Sequence, residues 1–227
     1  MSLADFTALL NDLARDQGTV LQQDARDRAL EAARLQYSTD RPRLQVEDVH
    51  WPQGSVAPTP SGWTDNAWVE TAEYPIGREP VSLIEVSHYL TPNGWQLITT
   101  HSVPAGAVVR VTYMAEHELS GTADTIPVRH RLPVAQYAAH LLCHQLATYY
   151  SAQREPSLGS DASITETRAR QFADRARELR TAYFAGVGVV DPFKASGAAS
   201  STSTAAAGVV SWPSRNPRHR LVGRRPL

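Results

Sequence analysis

The stretch VSLIEVSHYLTPNGWQLITTH, residues 81–101, decides the fold of this chain. Its Val, Ile, Leu, Tyr and Trp runs flank Thr91-Pro92-Asn93-Gly94, and Asn and Gly tolerate the positive φ of a tight turn. The pattern predicts two strands joined by that turn. The same texture continues on both sides: prolines such as Pro52, Pro58, Pro75, Pro104 and Pro127 cut residues 43–130 into short pieces rich in β-branched and aromatic residues. Strands are expected near 43–49, 67–72, 81–90, 95–101 and 107–116.

Outside this region the period changes from two to three and four. Leu3, Phe6, Leu9, Leu10 and Leu13 form one apolar stripe, and Ser2 with Asp5 makes a plausible cap for a helix of about three turns. After Gly18, Thr19-x-x-Gln22 reads as a capping box for a second helix carrying Ala25, Ala29, Leu30, Ala33 and Tyr37. That helix should stop before Pro42, since a residue preceding proline disfavours helical backbone. Helical spacing returns at Pro133, expected in a first turn, with Val134, Tyr137, Ala138, Leu141, Leu142, Leu146 and Tyr149 on a broad face. A last helix is expected from a Ser163-x-x-Glu166 cap to about Phe184, its apolar side formed by Ala169, Phe172, Ala173, Ala176, Leu179 and Tyr183. Four segments result: 1–42, 43–129, 130–186 and 187–227.

Lys and Arg number 22 against 23 Asp and Glu, a net charge of −1. The balance hides a split. Residues 195–227 carry Arg215, Arg218, Arg220, Arg224 and Arg225 and no carboxylate, which leaves an acidic body and a basic tail. Such a tail calls for an acidic partner, protein or nucleic acid. No apolar run reaches the ~18 residues of a membrane span, and no signal peptide or membrane association is expected. The single cysteine, Cys143, excludes an internal disulfide framework.

Residues suited to chemistry are few. His140 and His144 share a helix face with Cys143 beside them, the spacing of a metal pair, yet position 141 is Leu rather than the general-base Glu of a metalloprotease and no third ligand follows. A metal-dependent hydrolase built there is the weaker reading, and packing histidines the stronger. Gly186-Val187-Gly188 follows a helix rather than a strand, so it reads as a helix end and not a phosphate loop. Glu70, Glu73, Glu85, Glu116 and Glu118 are carboxylates scattered among strands, with nothing in the sequence to make two of them converge. No catalytic, cofactor-binding or metal residue is assigned, and no enzyme is expected.

The C-terminal segment carries a different signal. Residues 195–208, ASGAASSTSTAAAG, offer almost nothing to bury and read as a tether. Val209, Val210 and Trp212 then read as an apolar anchor, and the five arginines as groups able to pair with carboxylates or phosphates. Five phosphate contacts would give a salt slope of about −4.5. A lone Trp suits a protein pocket better than a stacking platform.

The order of these parts, with Tyr37-Ser38-Thr39-Asp40-Arg41-Pro42, Glu73-Tyr74-Pro75-Ile76-Gly77, Thr91-Pro92-Asn93-Gly94, Val109-Arg110-Val111-Thr112-Tyr113 and Thr125-Ile126-Pro127 before a long Ala/Leu helix, resembles the head-to-tail connector (adaptor, or neck) proteins of tailed bacteriophages. The resemblance covers residues 1–186. It implies an α+β fold: an antiparallel bundle of two N-terminal and two long C-terminal helices, an inserted antiparallel β region and an extended tail. It also implies a virion structural protein, assembled in the host cytoplasm and seated at the capsid–tail junction as a homo-oligomeric ring, commonly of twelve subunits. Such a ring contacts the portal protein and the next neck or tail protein, a stopper or tail terminator. DNA passes through it without sequence recognition during genome retention and ejection. Residues 187–227 are then the portal-docking tail, with Val209, Val210, Trp212 and the five arginines as its contact residues. Alternatives are a tail-completion or terminator protein and a cytosolic nucleic-acid-binding module using the arginines.

Overall fold

The computed structural model describes residues 3–15, 20–52, 54–152 and 160–194. In chain order the elements are α1 (Leu3–Leu13), α2 (Gln23–Asp40), β1 (Arg43–His50), β2 (Val56–Pro58), β3 (Trp68–Glu73), β4 (Leu83–Ile84), β5 (Val86–Thr91), β6 (Gly94–Thr99), β7 (Val108–Ala115), α3 (Val128–Ala152) and α4 (Ser160–Val187). The fold class is α+β with antiparallel sheets. Residues Met1–Val187 form one compact unit and Gly188–Leu227 a second.

The N-terminal helices bury the stripes their spacing foretells. Phe6 and Leu10 of α1 are fully buried, as are Ala29, Leu30, Ala33 and Tyr37 of α2. The start of α2 differs from expectation. Gln22, not Thr19, occupies the cap position in extended backbone and makes no side-chain capping bond. Glutamine lacks the short side-chain oxygen a cap requires, so the Gln22 carbonyl, accepting from Ala25 and Arg26 N–H, closes the first turn. The helix ends at Asp40, two residues before Pro42.

α3 begins five residues before Pro133, the expected start, because Pro127 already ends the preceding extended chain and its carbonyl accepts the His130 N–H at 2.8 Å. Pro133 therefore lies inside the helix and leaves the Arg129 carbonyl without its usual partner. Its ring meets α4. A Cβ on Gly186 would stand 2.6 Å from Pro133 Cγ, so only glycine lets the helices approach this closely. The chain leaves α4 at Gly188, φ +73°, a helix end as expected. Ser163 lies within α4, which begins at Ser160.

α3 packs against α1, α2 and α4. Its buried face is Val134, Ala135, Ala138, Ala139, Leu142, Cys143 and Leu146, whereas Leu141, Gln145 and Tyr149 lean outward. Leu142→Ala should therefore cost about 2–5 kcal/mol and Leu141→Ala less, in urea unfolding followed by far-UV circular dichroism. A larger loss for Leu141→Ala would reverse the assigned face.

The strands form two sheets, a four-stranded one in the order β1-β7-β3-β4 and a three-stranded one in the order β2-β6-β5. Residues 81–90, expected as one strand, divide at Glu85: Leu83–Ile84 pairs with β3, and Val86–Thr91 pairs with β6 in the other sheet. A bend of this kind lets one run of chain serve two packed sheets. The turn is as expected, with Gly94 at φ +111° and the Thr91 hydroxyl donating to the Gly94 carbonyl at 2.7 Å. β2 lies outside the expected strands, since three residues ending in proline carry no readable period. Both sheets contribute to one core around Trp51, with Val49, Val109, Val111 and Tyr113 from the larger sheet and Ala57 and Leu97 from the smaller.

Candidate interaction site

The polar seam between helices and sheet is set by α2. Arg34, Tyr37, Ser38 and Arg41 lie three and four residues apart and so share one side of the helix. Arg34 is 14% exposed at its side chain, forks onto Glu31 at 2.7 and 3.0 Å, and reaches Glu116 beyond β7 at 3.0 Å. The same guanidinium donates to the His117 carbonyl at 2.5 Å, while Asn66 donates to the other Glu116 oxygen at 2.6 Å. The guanidinium bonded to Glu31 holds that carboxyl below its ordinary value. Ser38 Oγ accepts the His117 N–H at 2.9 Å and donates back to the Arg34 carbonyl at 2.8 Å.

Two buried histidines complete the seam. The Tyr37 hydroxyl lies 2.6 Å from His130 Nδ1, and the Tyr37 ring lies 4.8 Å from that of His117. His117 Nε2 lies 3.0 Å from the Arg41 carbonyl, and Nδ1 lies 3.1 Å from both the Thr125 carbonyl and the Thr125 hydroxyl, so the backbone bonds favour a charged ring while burial, the larger effect, opposes it. Burial pushes both imidazoles below their ordinary value, with Arg34 and Arg43 near His117 and Arg41 and Arg129 near His130 adding to the effect. The unfolded chain then binds protons at a higher pH than the folded one. Stability should be flat above about pH 7 and fall as pH drops below the ordinary histidine value toward the folded one. Urea midpoints at about pH 7.5 and 5.5 test this, and His117→Asn should reduce the difference. Equal midpoints in the unsubstituted protein would contradict it.

α4 is tied to the same region by the Tyr183 hydroxyl donating to Asp40 at 2.5 Å and by Arg41 donating to the Val187 carbonyl at 3.2 Å. Burial and the adjacent Asp40 carboxylate raise the Tyr183 pKa.

The groups weighed for chemistry are placed apart. His140 Nδ1 lies 2.9 Å from the Ala176 carbonyl, His144 is exposed, and Cys143 is buried with its thiol pushed up to about 11. No group of three metal-ligating side chains occurs among the described residues. Glu73 faces Arg110 at 3.9 Å and accepts the Gly77 N–H at 2.7 Å, Glu116 belongs to Arg34 and Asn66, and Glu118 faces Arg43 at 3.6 Å. Glu70 and Glu85 are exposed. The tail residues Val209, Val210, Trp212, Arg215, Arg218, Arg220, Arg224 and Arg225 lie outside the described residues.

What the sequence did not single out is a surface. Register places Leu44 of β1, Met114 of β7 and Trp68 of β3 in one row on the outer face of the four-stranded sheet, with Val46, Thr112 and Thr71 in the next. Leu44 and Val46 are each 57% exposed and Trp68 40%. An open groove of about 480 Å³, lined by Leu35, Ser38, Asn66, Trp68 and Glu116 among others, continues this strip onto α2. The next row is polar, Asp48 pairing with Arg110 at 2.8 Å. Exposed Leu44 and Val46 alternate with half-buried Gln45 and Glu47, the inverse of the usual strand pattern, and since the sequence shows only a regular apolar–polar alternation here, no sequence signal marks the face.

No family model matches this chain, and no curated protein matches it. Among the described residues no helix is long and apolar enough to cross a membrane.

Proposed function

We propose that this chain is a virion structural protein of a tailed bacteriophage, forming the adaptor ring between portal and tail. In this reading the helices make an antiparallel bundle around α3, the sheets are the inserted region, and the tail 187–227 docks on the portal through Val209, Val210, Trp212 and its arginines. The observation that carries it is the order of elements, two N-terminal helices, an antiparallel β region and two long helices, in a chain whose body is acidic and whose end is basic. A conduit should not hold its cargo, and an acidic body repels DNA that must slide past it. A sequence-specific binder would instead expose a basic stripe. The carboxylates weighed for acid–base work support a non-catalytic role in that Glu73, Glu116 and Glu118 already face cations.

A subunit of a closed ring needs two different flanks that meet head to tail, and an apolar sheet face is suited to be one of them. Negative-stain imaging of the purified full-length chain, alone and with portal rings, tests the proposal. Annular particles with a central opening that stack on portal rings are expected. A chain that remains monomeric in the presence of portal rings and does not bind them would refute it.

A further inference from the structure

The outer face of the four-stranded sheet has the chemistry of a protein contact. Leu44, Val46 and Trp68 lie exposed in adjacent rows, and the groove beside Trp68 leads to Leu35, itself 40% exposed. A shift of register between Val69 and Thr71 inserts one residue, Glu70, into β3. An inserted residue of this kind is turned out of the regular alternation, and Glu70 is exposed beside Trp68. The apolar strip is therefore bordered by the Glu70 carboxylate on β3 and, in the next row, by the Asp48–Arg110 ion pair.

A surface of matching and opposite character lies on the same compact unit. At the start of α3, Val128 is 75% and Leu132 49% exposed, one helical turn apart on one side. Arg129, next to Val128, is exposed as well. Arg131 at the same end of α3 is already paired with Asp124 at 2.8 Å, which leaves Arg129 as the exposed cation beside Val128.

We propose that the outer sheet face of one copy receives the first turns of α3 from a second copy, Val128 and Leu132 entering the strip bounded by Leu44, Val46 and Trp68 while Arg129 meets Glu70. Like faces lack this complement, since two sheet faces would set Glu70 against Glu70 and two α3 ends Arg129 against Arg129. The contact is therefore heterologous: every copy uses its sheet toward one neighbour and α3 toward the other, the arrangement that closes into a ring when the rotation allows. This inference rests on the ring reading above and supplies its two flanks. The basic, Trp-bearing segment 209–225 is the other occupant with suitable chemistry, and the experiment separates the two.

The test is a charge exchange in the full-length chain, read by sedimentation velocity. Glu70→Arg and Arg129→Glu alone should each weaken assembly by about tenfold or more, as loss of a close interfacial charge pair does. The combined E70R/R129E chain should recover assembly, since each contact then regains one group of each sign. Leu44→Ser with Val46→Ser should dissociate the assembly with an unchanged far-UV spectrum. Exposure of all these side chains keeps folding out of the measurement. Single variants that assemble like the unsubstituted chain, or a combined variant that stays dissociated, overturn the inference without touching the proposal that the unsubstituted chain forms a ring. The inference also fails if changing Arg215, Arg218, Arg220, Arg224 and Arg225 to Gln abolishes assembly while Arg129→Glu does not, since the tail is then the occupant. An unsubstituted chain that stays monomeric both alone and with portal rings present overturns the inference and the ring together.

Discussion

Trp51→Ala should lower stability by about 3–5 kcal/mol, the range for deleting a fully buried large aromatic side chain. Trp51 is 0% exposed and sits where both sheets meet, among Val49, Ala57, Leu97, Val103 and Val109. It also anchors backbone. Its N–H donates to the Ala107 carbonyl at 2.7 Å, its carbonyl accepts from Gly106 at 2.8 Å, and its indole N–H donates to the Gly54 carbonyl at 3.1 Å. Removing the ring opens a cavity that two sheets cannot both close on, and it leaves the Gly54 carbonyl without that donor. Trp68→Ala, at a side chain 40% exposed on the outer face, should cost under about 1 kcal/mol. Urea unfolding with an unchanged slope gives both numbers. A loss below about 1 kcal/mol for Trp51→Ala would mean that the sheets do not share this core.

Deleting residues 209–227 should leave the fold intact and abolish stable attachment to the portal. The stretch 195–208 that precedes it has threonine as its largest side chain and reads as a tether, so the apolar residues of 209–227 are expected to serve a partner rather than the body. Trp212→Ala alone should weaken attachment by about 2 kcal/mol or more, roughly thirtyfold in Kd, if the indole is the anchor in an apolar pocket. Changing the five arginines to Gln distinguishes a protein partner from DNA. On the portal reading, binding to DNA-free portal rings falls with the substitution. If DNA-free portal rings bind both forms equally while DNA affinity collapses, the segment is a nucleic-acid arm.

The element types were legible because side-chain period reports which face is buried. The α2 stripe, Ala25 to Tyr37, and the Thr91-Pro92-Asn93-Gly94 turn sit in the structure as their spacing requires. Boundaries were less so. Pro133 marks a first helical turn by propensity, yet in α3 it is held inside the helix by its fit against Gly186, a contact between residues far apart in sequence. The division of residues 81–90 between two sheets is likewise a tertiary choice, since Leu83 and Tyr89 look alike as strand residues. Leu141 and Leu142 differ by one position, and only the placement of α1, α2 and α4 around α3 decides which is buried.

The interaction surface was nearly illegible. Leu44 and Val46 read as core residues by hydrophobicity, and their exposure follows from pairing β1 with β7, whose own alternation puts Val109, Val111 and Tyr113 inward. The polar seam was hidden for the same reason: Arg34, His117 and His130 are ordinary polar residues in sequence and meet only when β7 and α3 return to α2.

Imaging virions carrying a label on this protein tests the central proposal most directly. A gold label directed at the full-length chain should fall at the capsid–tail junction of intact particles, between the portal vertex and the first tail ring. Label absent from purified virions, or confined to the distal tail, would contradict an adaptor between portal and tail.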